Sequence, residues 1–277
     1  MRRWCRDRLQ AWPVAHRTTV VPTVLGETHL TSLGTGADVC VYLPGTNFNA
    51  ATSTALLEAL AGRCRGVCAA LPGQPGLSTA TRPREDARNH GRWLGQVLHV
   101  ARGDPVGRVV LVGHSRGAAV ALATDPSAVD ALVLLSPAGL AGPRLAPGTL
   151  ALSLAWLLRP TDRRSARLVD LMAGPASSTD LSRLVEWMTL AARSTRTSGA
   201  PGPLPQDVLA RWRGHDVRVL AGEHDVFFPP DRLVDPALRL LGVRLEVVRE
   251  TGHLLPDQRP EAVVAAAMGE VLPGGQS

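Results

Sequence analysis

The stretch Arg108-Val109-Val110-Leu111-Val112-Gly113-His114-Ser115-Arg116-Gly117-Ala118-Ala119-Val120-Ala121 decides how this chain is read. An apolar, valine-rich run enters a Gly-x-Ser-x-Gly pentad, and an alanine-rich segment leaves it. The pattern is strand, sharp turn, helix, with a serine at the apex. A serine held there adopts a strained backbone, and a side chain at Gly113 or Gly117 would crowd the neighbouring strand or helix. The geometry lifts the Ser115 hydroxyl clear of the sheet. It also sets that hydroxyl at a helix N-terminus, where backbone N–H groups favour developing negative charge. The pentad alone is a weak signal, and its place between strand and helix is what gives it weight.

Outward from the pentad the same alternation continues. Thr18-Thr19-Val20-Val21 and Thr28-His29-Leu30-Thr31-Ser32, joined across Leu25-Gly26-Glu27, predict an opening hairpin. Strands are expected at 39–43, 66–71, 109–112, 131–135, 217–220 and 244–248. Helices are expected at 54–61, 86–101 and 260–271. Short apolar strands alternating with helices imply an α/β fold with a mostly parallel central sheet covered on both faces. The rhythm breaks once, between Gly139 and Pro205, where helical patches (150–158, 165–172, 181–192) lie among Pro/Gly punctuation. That interval ends in Ser198-Gly199-Ala200-Pro201-Gly202-Pro203, a linker composition. The expected organisation is a core of residues 1–138 and 206–277, with residues 139–205 inserted as a helical lid over the sheet's carboxyl edge.

Composition narrows the partners. The 277 residues suit one α/β domain with an insertion, and 45% apolar residues supply a core. The chain has no lysine and no isoleucine, while Arg, Ala, Gly, Pro and Leu abound, as in a GC-rich, bacterial coding sequence. The net charge of +6 therefore owes something to nucleotide bias. Its arginines are scattered and its aromatics few, which argues against a nucleic-acid surface. The basic start, Met1 to Arg8, has no apolar run behind it and does not read as a secretory signal. The best apolar run, Leu150 to Leu158, is too short to cross a membrane and ends at Arg159-Pro160. Cys5, Cys40, Cys64 and Cys68 lack zinc spacing. Cys40 and Cys68 fall in strand-like runs and read as buried thiols of a cytoplasmic, reducing compartment. A monomer or homodimer acting on a small molecule is expected, with no nucleic acid, membrane, metal or cofactor.

A serine hydroxyl needs a base to take its proton, and the base needs an orienting carboxylate. Both belong in loops at strand carboxyl ends, after the serine. Ala221-Gly222-Glu223-His224-Asp225 follows one strand and Arg249-Glu250-Thr251-Gly252-His253 follows the next, offering Asp225 and His253. Glu223 in the same loop is the rival acid. Asp130 and Asp216 precede their strands and lie at the wrong end. His224 adjoins the acid in sequence and cannot easily face it, and His114 is expected to pack beneath the turn.

At these residues the chain resembles the α/β-hydrolase superfamily, whose acid loop often reads Gly-x-x-Asp and whose last loop often reads Gly-His. Leu43-Pro44-Gly45-Thr46-Asn47 matches the superfamily's oxyanion loop, with Pro44 where many members carry histidine. Leu71-Pro72-Gly73-Gln74-Pro75-Gly76-Leu77-Ser78 looks like its Pro-Gly-x-Gly-x-Ser loop with one proline inserted. The resemblance runs from Thr18 to Val271. It implies Ser115 as nucleophile, His253 as base and Asp225 as its orienting acid. Backbone N–H groups of Arg116 and of Thr46 (with Asn47 the lesser candidate) would receive the oxyanion.

The implied activity is cleavage of an ester, thioester or lactone of a small to medium apolar substrate. Carbon–carbon bond hydrolysis, cofactor-free haloperoxidase-like chemistry, and a non-catalytic ligand-binding relative remain alternatives on the same fold. Asn47, Leu154, Trp156, Trp187 and Met188 are candidate pocket residues, although at helical spacing such residues more often pack. The Arg116 side chain either favours an acidic substrate group or points into solvent. Arg163, Arg164 and Arg193 read as solvated, with a substrate carboxylate as their other use.

Overall fold

The computed structural model describes residues 1–83, 87–103, 107–175, 177–195 and 199–273. A helix that the sequence reading did not anticipate opens the chain: α1 (Arg2–Gln10), which buries Cys5 and Leu9 one turn apart. The expected hairpin follows as β1 (Arg17–Val21) and β2 (Thr28–Leu33), paired antiparallel with Thr19 opposite Leu30. Thr23 and Gly26 exchange backbone hydrogen bonds across the turn, and Gly26 has φ of 97°, a conformation that suits glycine.

Strand and helix then alternate through β3 (Val39–Leu43), α2 (Thr54–Ala61), β4 (Arg65–Ala69), α3 (Ala87–Arg102), β5 (Val109–His114), α4 (Arg116–Leu122) and β6 (Ala131–Leu135). Helices α5 (Pro147–Leu158), α6 (Asp162–Ala173), α7 (Ser182–Ser194) and α8 (Gln206–Ala210) intervene before β7 (Val217–Gly222). The chain closes with α9 (Pro230–Pro236), β8 (Leu245–Val248), α10 (Leu255–Gln258) and α11 (Pro260–Met268). The eight strands form one sheet in the order β1-β2-β4-β3-β5-β6-β7-β8. Only the β1–β2 and β2–β4 pairs are antiparallel; the other five are parallel.

Every residue of β3, β5 and β6 is buried, as a parallel sheet covered on both faces requires. The period of two sorts their side chains. Val39, Val41 and Leu43 join Leu111 and Trp93 on one face, while Cys40, Tyr42 and Val112 join Leu56 and Val263 on the other.

Several boundaries shift for local reasons. The last helix ends at Met268, short of the expected Val271, because Gly269 takes a left-handed cap with φ of 75°. The fourth strand ends at Ala69, two residues early, where the chain turns into the Pro72-Gly73 loop. The expected start of α3 at Asp86 and the Ser198 end of the linker lie outside the described residues. Among the described residues no helix is long and apolar enough to cross a membrane, and all four cysteines are free and buried.

Helices α6 and α7 rest on loops at the sheet's carboxyl edge. The Met172 carbonyl at the end of α6 accepts the His253 backbone N–H at 2.6 Å. Trp187 Nε1 of α7 donates to the Asn47 carbonyl at 2.7 Å. Arg183 of α7 reaches down to Asp257 of α10 at 3.1 Å and to the Thr54 hydroxyl of α2 at 3.2 Å. This seat puts the inserted helices over the loops that follow β3 and β8.

Candidate active site

The turn after β5 has the geometry its glycines foretold. Ser115 sits at φ 51°, ψ −114°, between the last strand residue and the first residue of α4, and its N–H donates to the Leu135 carbonyl at 2.9 Å. Such a conformation is costly for a residue with a side chain and persists only where its surroundings impose it. A Cβ on Gly117 would lie 2.1 Å from the Leu43 carbonyl oxygen, and one on Gly113 would lie 2.7 Å from the Ala118 Cα. Neither position admits even alanine without moving backbone. Arg116, the first residue of α4, presents an N–H that the helix itself cannot use.

Asp225 leaves β7 into a tight turn in which its Oδ1 accepts the N–H groups of Phe227 (2.8 Å) and Phe228 (2.9 Å). Its Oδ2 faces His253 Nδ1 at 2.9 Å. An ionised carboxylate only accepts, so Nδ1 carries the proton and Nε2 keeps its lone pair. Burial pushes the Asp225 carboxyl up. The opposing charge and hydrogen bond of His253 and the Phe228 N–H outweigh it and hold the carboxyl at about 2. Glu223, the rival acid, instead accepts the backbone N–H of Glu250 at 3.0 Å, and His224 lies 3.9 Å from that same carboxylate.

His253 is enclosed by aromatic rings. Phe228 stacks on it (centroids 5.9 Å apart, 30°), and Phe227 meets it edge-on (5.1 Å, 81°). Both lie in the acid loop, so one turn both orients the imidazole and dries it. Beneath lies His114, whose Nε2 is 2.8 Å from the His253 carbonyl oxygen. A carbonyl can only accept, so Nε2 bears the hydrogen. Burial, then repulsion from His253, pushes the His114 imidazole down to about 3, which keeps it neutral. Thus the residue before Ser115 is tied to the backbone of His253, joining the two loops that carry them.

The loop after β3 passes against the serine: a Cβ on Gly45 would lie 3.0 Å from His114 Nδ1 and 3.4 Å from Ser115 Cβ. The Phe48 N–H returns to the Gly45 carbonyl at 3.1 Å, closing a tight turn in which Asn47 has φ of 69°. Asparagine tolerates that left-handed position better than most residues. The Asn47 N–H donates to Gln74 Oε1 at 3.0 Å, and Arg116 Nε donates to the Thr46 hydroxyl at 3.3 Å. The Arg116 guanidinium also donates to the Gly199 carbonyl at 2.6 Å, so its side chain is buried and does not point into solvent.

The structure brings Ser115, His253, Asp225, Thr46, Asn47 and Arg116 into this one region. Trp187 has no exposed surface (0%) and touches it through Asn47, and Trp156 and Met188 are buried within the inserted helices. Leu154 differs: it is 47% exposed on α5. Sequence reasoning did not single out Phe227, Phe228 or Gln74. The adjacent Phe227-Phe228, two of the chain's three phenylalanines, starting two residues after the acid and running into a pair of prolines, was the available signal. A cavity of about 560 Å³ opens beside the acid loop, walled by α6 and α7 residues such as Val169, Leu171 and Val185 and by His224 and Val226.

A family model described as the alpha/beta hydrolase family matches residues 40–267. The chain belongs to the alpha/beta hydrolase family. No curated protein sequence matches it. Among solved structures it is similar to carboxylesterase CesB (YbfK) from Bacillus subtilis, with 22% identity, 97% of each chain covered and a TM-score of 0.75. Naproxen esterase (carboxylesterase NP) from Bacillus subtilis shows 18% identity over 95% of this chain and 94% of that one, with a TM-score of 0.76. The 2-hydroxy-6-oxo-6-phenylhexa-2,4-dienoate hydrolase from Rhodococcus sp. strain RHA1 shows 20% identity over 92% and 99%, with a TM-score of 0.67. At these identities the likeness is one of fold. In this chain Asp225 follows β7 and His253 follows β8.

Proposed function

We propose that this alpha/beta hydrolase is a serine esterase that cleaves an ester, thioester or lactone of a small to medium apolar substrate. The observation that carries the reading is the buried His253–Asp225 contact at 2.9 Å, held by His114 to the strained serine turn. In the first half-reaction Ser115 Oγ attacks the carbonyl carbon while His253 Nε2 takes its proton. Asp225 holds the imidazole in the tautomer that can do this and stabilises its charged form. The carbonyl oxygen becomes an oxyanion, received by the backbone N–H of Arg116 and that of Thr46. Asn47 is the weaker candidate because its N–H is engaged with Gln74. One such donor lowers the barrier by about 3 kcal/mol. The tetrahedral species collapses, His253 protonates the departing alcohol or thiol, and an acyl-serine remains. Water then repeats the sequence with His253 as base. Four free, buried thiols suit a reducing, cytoplasmic setting.

The test is fluorophosphonate labelling followed by p-nitrophenyl ester turnover. Native protein labels at Ser115, and Ser115→Ala and denatured protein do not. His253→Ala abolishes turnover, and Asp225→Asn lowers kcat on the order of a thousandfold to ten-thousandfold. A native protein that binds apolar esters yet neither labels nor turns them over is a binding module, and the reading fails.

A further inference from the structure

The loop that would hold the oxyanion is braced from outside the hydrolase core. The Asn47 carbonyl accepts a hydrogen bond from Trp187 Nε1 at 2.7 Å, and Trp187 is wholly buried in α7. Its ring is covered by Trp4 of α1, with centroids 4.7 Å apart at 36°. Trp4 and Arg8 then grip the same α7 carboxylate, Glu186, at 2.8 Å and 2.5 Å. The Arg8 guanidinium lies over the Trp4 ring at 5.3 Å. Helix α1 also packs on the short turn Ala50–Thr52 that continues the oxyanion loop. Arg2 of α1 donates to the Ser78 carbonyl at 2.6 Å, in the loop that supplies Gln74 to the Asn47 N–H.

We propose that Trp187, backed by the N-terminal helix α1 through Trp4, is a positioning residue that holds the Gly45–Phe48 turn in its oxyanion-receiving conformation. The physical reason lies in that turn. Asn47 stands at a positive φ, which the chain leaves readily unless its surroundings fix it. Its N–H is fixed by Gln74 and its C=O by Trp187, so the two peptide planes beside Thr46 and Phe48 are clamped together. Without the indole donor, the buried carbonyl has to turn to find another partner, and the Thr46 N–H turns with it. A donor displaced by about 1 Å stabilises the oxyanion far less while leaving the ground-state complex nearly untouched. The indole thus acts on the transition state without touching substrate. It also makes a helix at the far N-terminus part of the catalytic apparatus, which the pentad, acid and base do not reveal.

This inference rests on the esterase reading, so its test needs one readout that does not depend on turnover. Trp187→Phe keeps a ring under Trp4 and removes the donor together with one ring of the indole. Trp4→Ala leaves the donor and removes its backing. Amide hydrogen exchange at Phe48, whose N–H closes the turn, and at Asn47, whose N–H ties it to Gln74, reads the loop directly. Steady-state kinetics on a p-nitrophenyl ester read its consequence. Trp187→Phe is expected to speed exchange at both amides and to lower kcat by between about tenfold and a hundredfold, with KM within about twofold. Trp4→Ala is expected to move both readouts the same way by a smaller factor. Unchanged exchange in Trp187→Phe overturns the proposal, as does faster exchange with unchanged kcat. A loss confined to KM also overturns it, since that places Trp187 in substrate binding. If the native protein neither labels nor turns over, the esterase reading has failed, and the catalytic part of this proposal fails with it. Should Trp187→Phe not fold, Trp4→Ala carries the same outcomes.

Discussion

At the scale of single residues, His114 shows how a side chain can serve a site without entering the chemistry. It is buried and neutral, and its Nε2 donates a hydrogen bond to the carbonyl of His253. Protonating it in place would bury a charge away from water. An unfolded histidine titrates near its ordinary value, whereas this one holds out to about 3. The unfolded chain therefore binds more protons across that interval. Stability from this residue is complete above about pH 6.5 and is lost as the pH falls toward 3. The loss is at most roughly 1.4 kcal/mol per pH unit, the linkage limit for one proton. Asp257 works in the opposite sense, because burial raises its carboxyl to about 6 and favours the folded state as the pH falls through that value. The comparison therefore needs a variant. His114→Gln, which can still donate to the His253 carbonyl, is expected to flatten the acid side of the stability curve between pH 6 and 4 relative to wild type. Urea unfolding at several pH values measures it, and parallel curves for the two proteins would falsify the assignment. Asp225, held at about 2, adds its own loss only as the pH falls below about 4.

At the scale of elements, the join between α6 and the histidine loop is so close that glycine is required. A Cβ on Gly252 would lie 2.1 Å from the Met172 carbonyl oxygen, the same atom that receives the His253 N–H. Gly252→Ala is therefore expected to push α6 off the loop, tilt His253 against Asp225 and reduce esterase turnover by at least about tenfold. A lower melting temperature is expected to accompany it, because α6 shares the hydrophobic cluster of the sheet. Circular dichroism and p-nitrophenyl ester kinetics on the purified variant check both halves, and full activity would show that the join is slack. Elements of this kind explain what the sequence could and could not display. The placement of Ser115, Asp225 and His253 just after strands was legible because strand, turn and loop signals are local. The strands 131–135 and 245–248 were equally plain, being short apolar runs between breakers. Helix α1 was not legible: Arg2 to Gln10 reads as a charged terminus, and only Cys5 and Leu9, four residues apart, hint at a buried stripe. That helix depends on Trp187 and Ala50–Thr52, partners far away in sequence. The aromatic walls of His253 were missed for a related reason, since the contact exists only once the loops after β7 and β8 are side by side.

At the scale of the whole molecule, the question is whether the inserted helices are a separate body. Their buried residues Trp156, Leu168, Met172, Leu184 and Trp187 belong to the same hydrophobic cluster as Cys40, Tyr42 and Val112 of the sheet. The opposite face of the sheet has its own cluster, built with α3 and α4. Polar joints cross between insertion and core as well, among them Met172 to His253, Trp187 to Asn47, and Arg183 to Asp257. An insertion that shares a core with its host cannot leave without exposing the sheet's apolar face, which links its loss to global unfolding. Residues 139–205, expected from the sequence to be a distinct lid, should therefore melt together with the rest. Scanning calorimetry is expected to show a single transition whose calorimetric and van't Hoff enthalpies agree. The Trp187→Phe variant should lower that one midpoint without splitting it. Two resolved transitions, the lower one abolishing ester turnover while most sheet signal persists, would mean that the insertion opens independently and that the oxyanion loop loses its brace whenever it does.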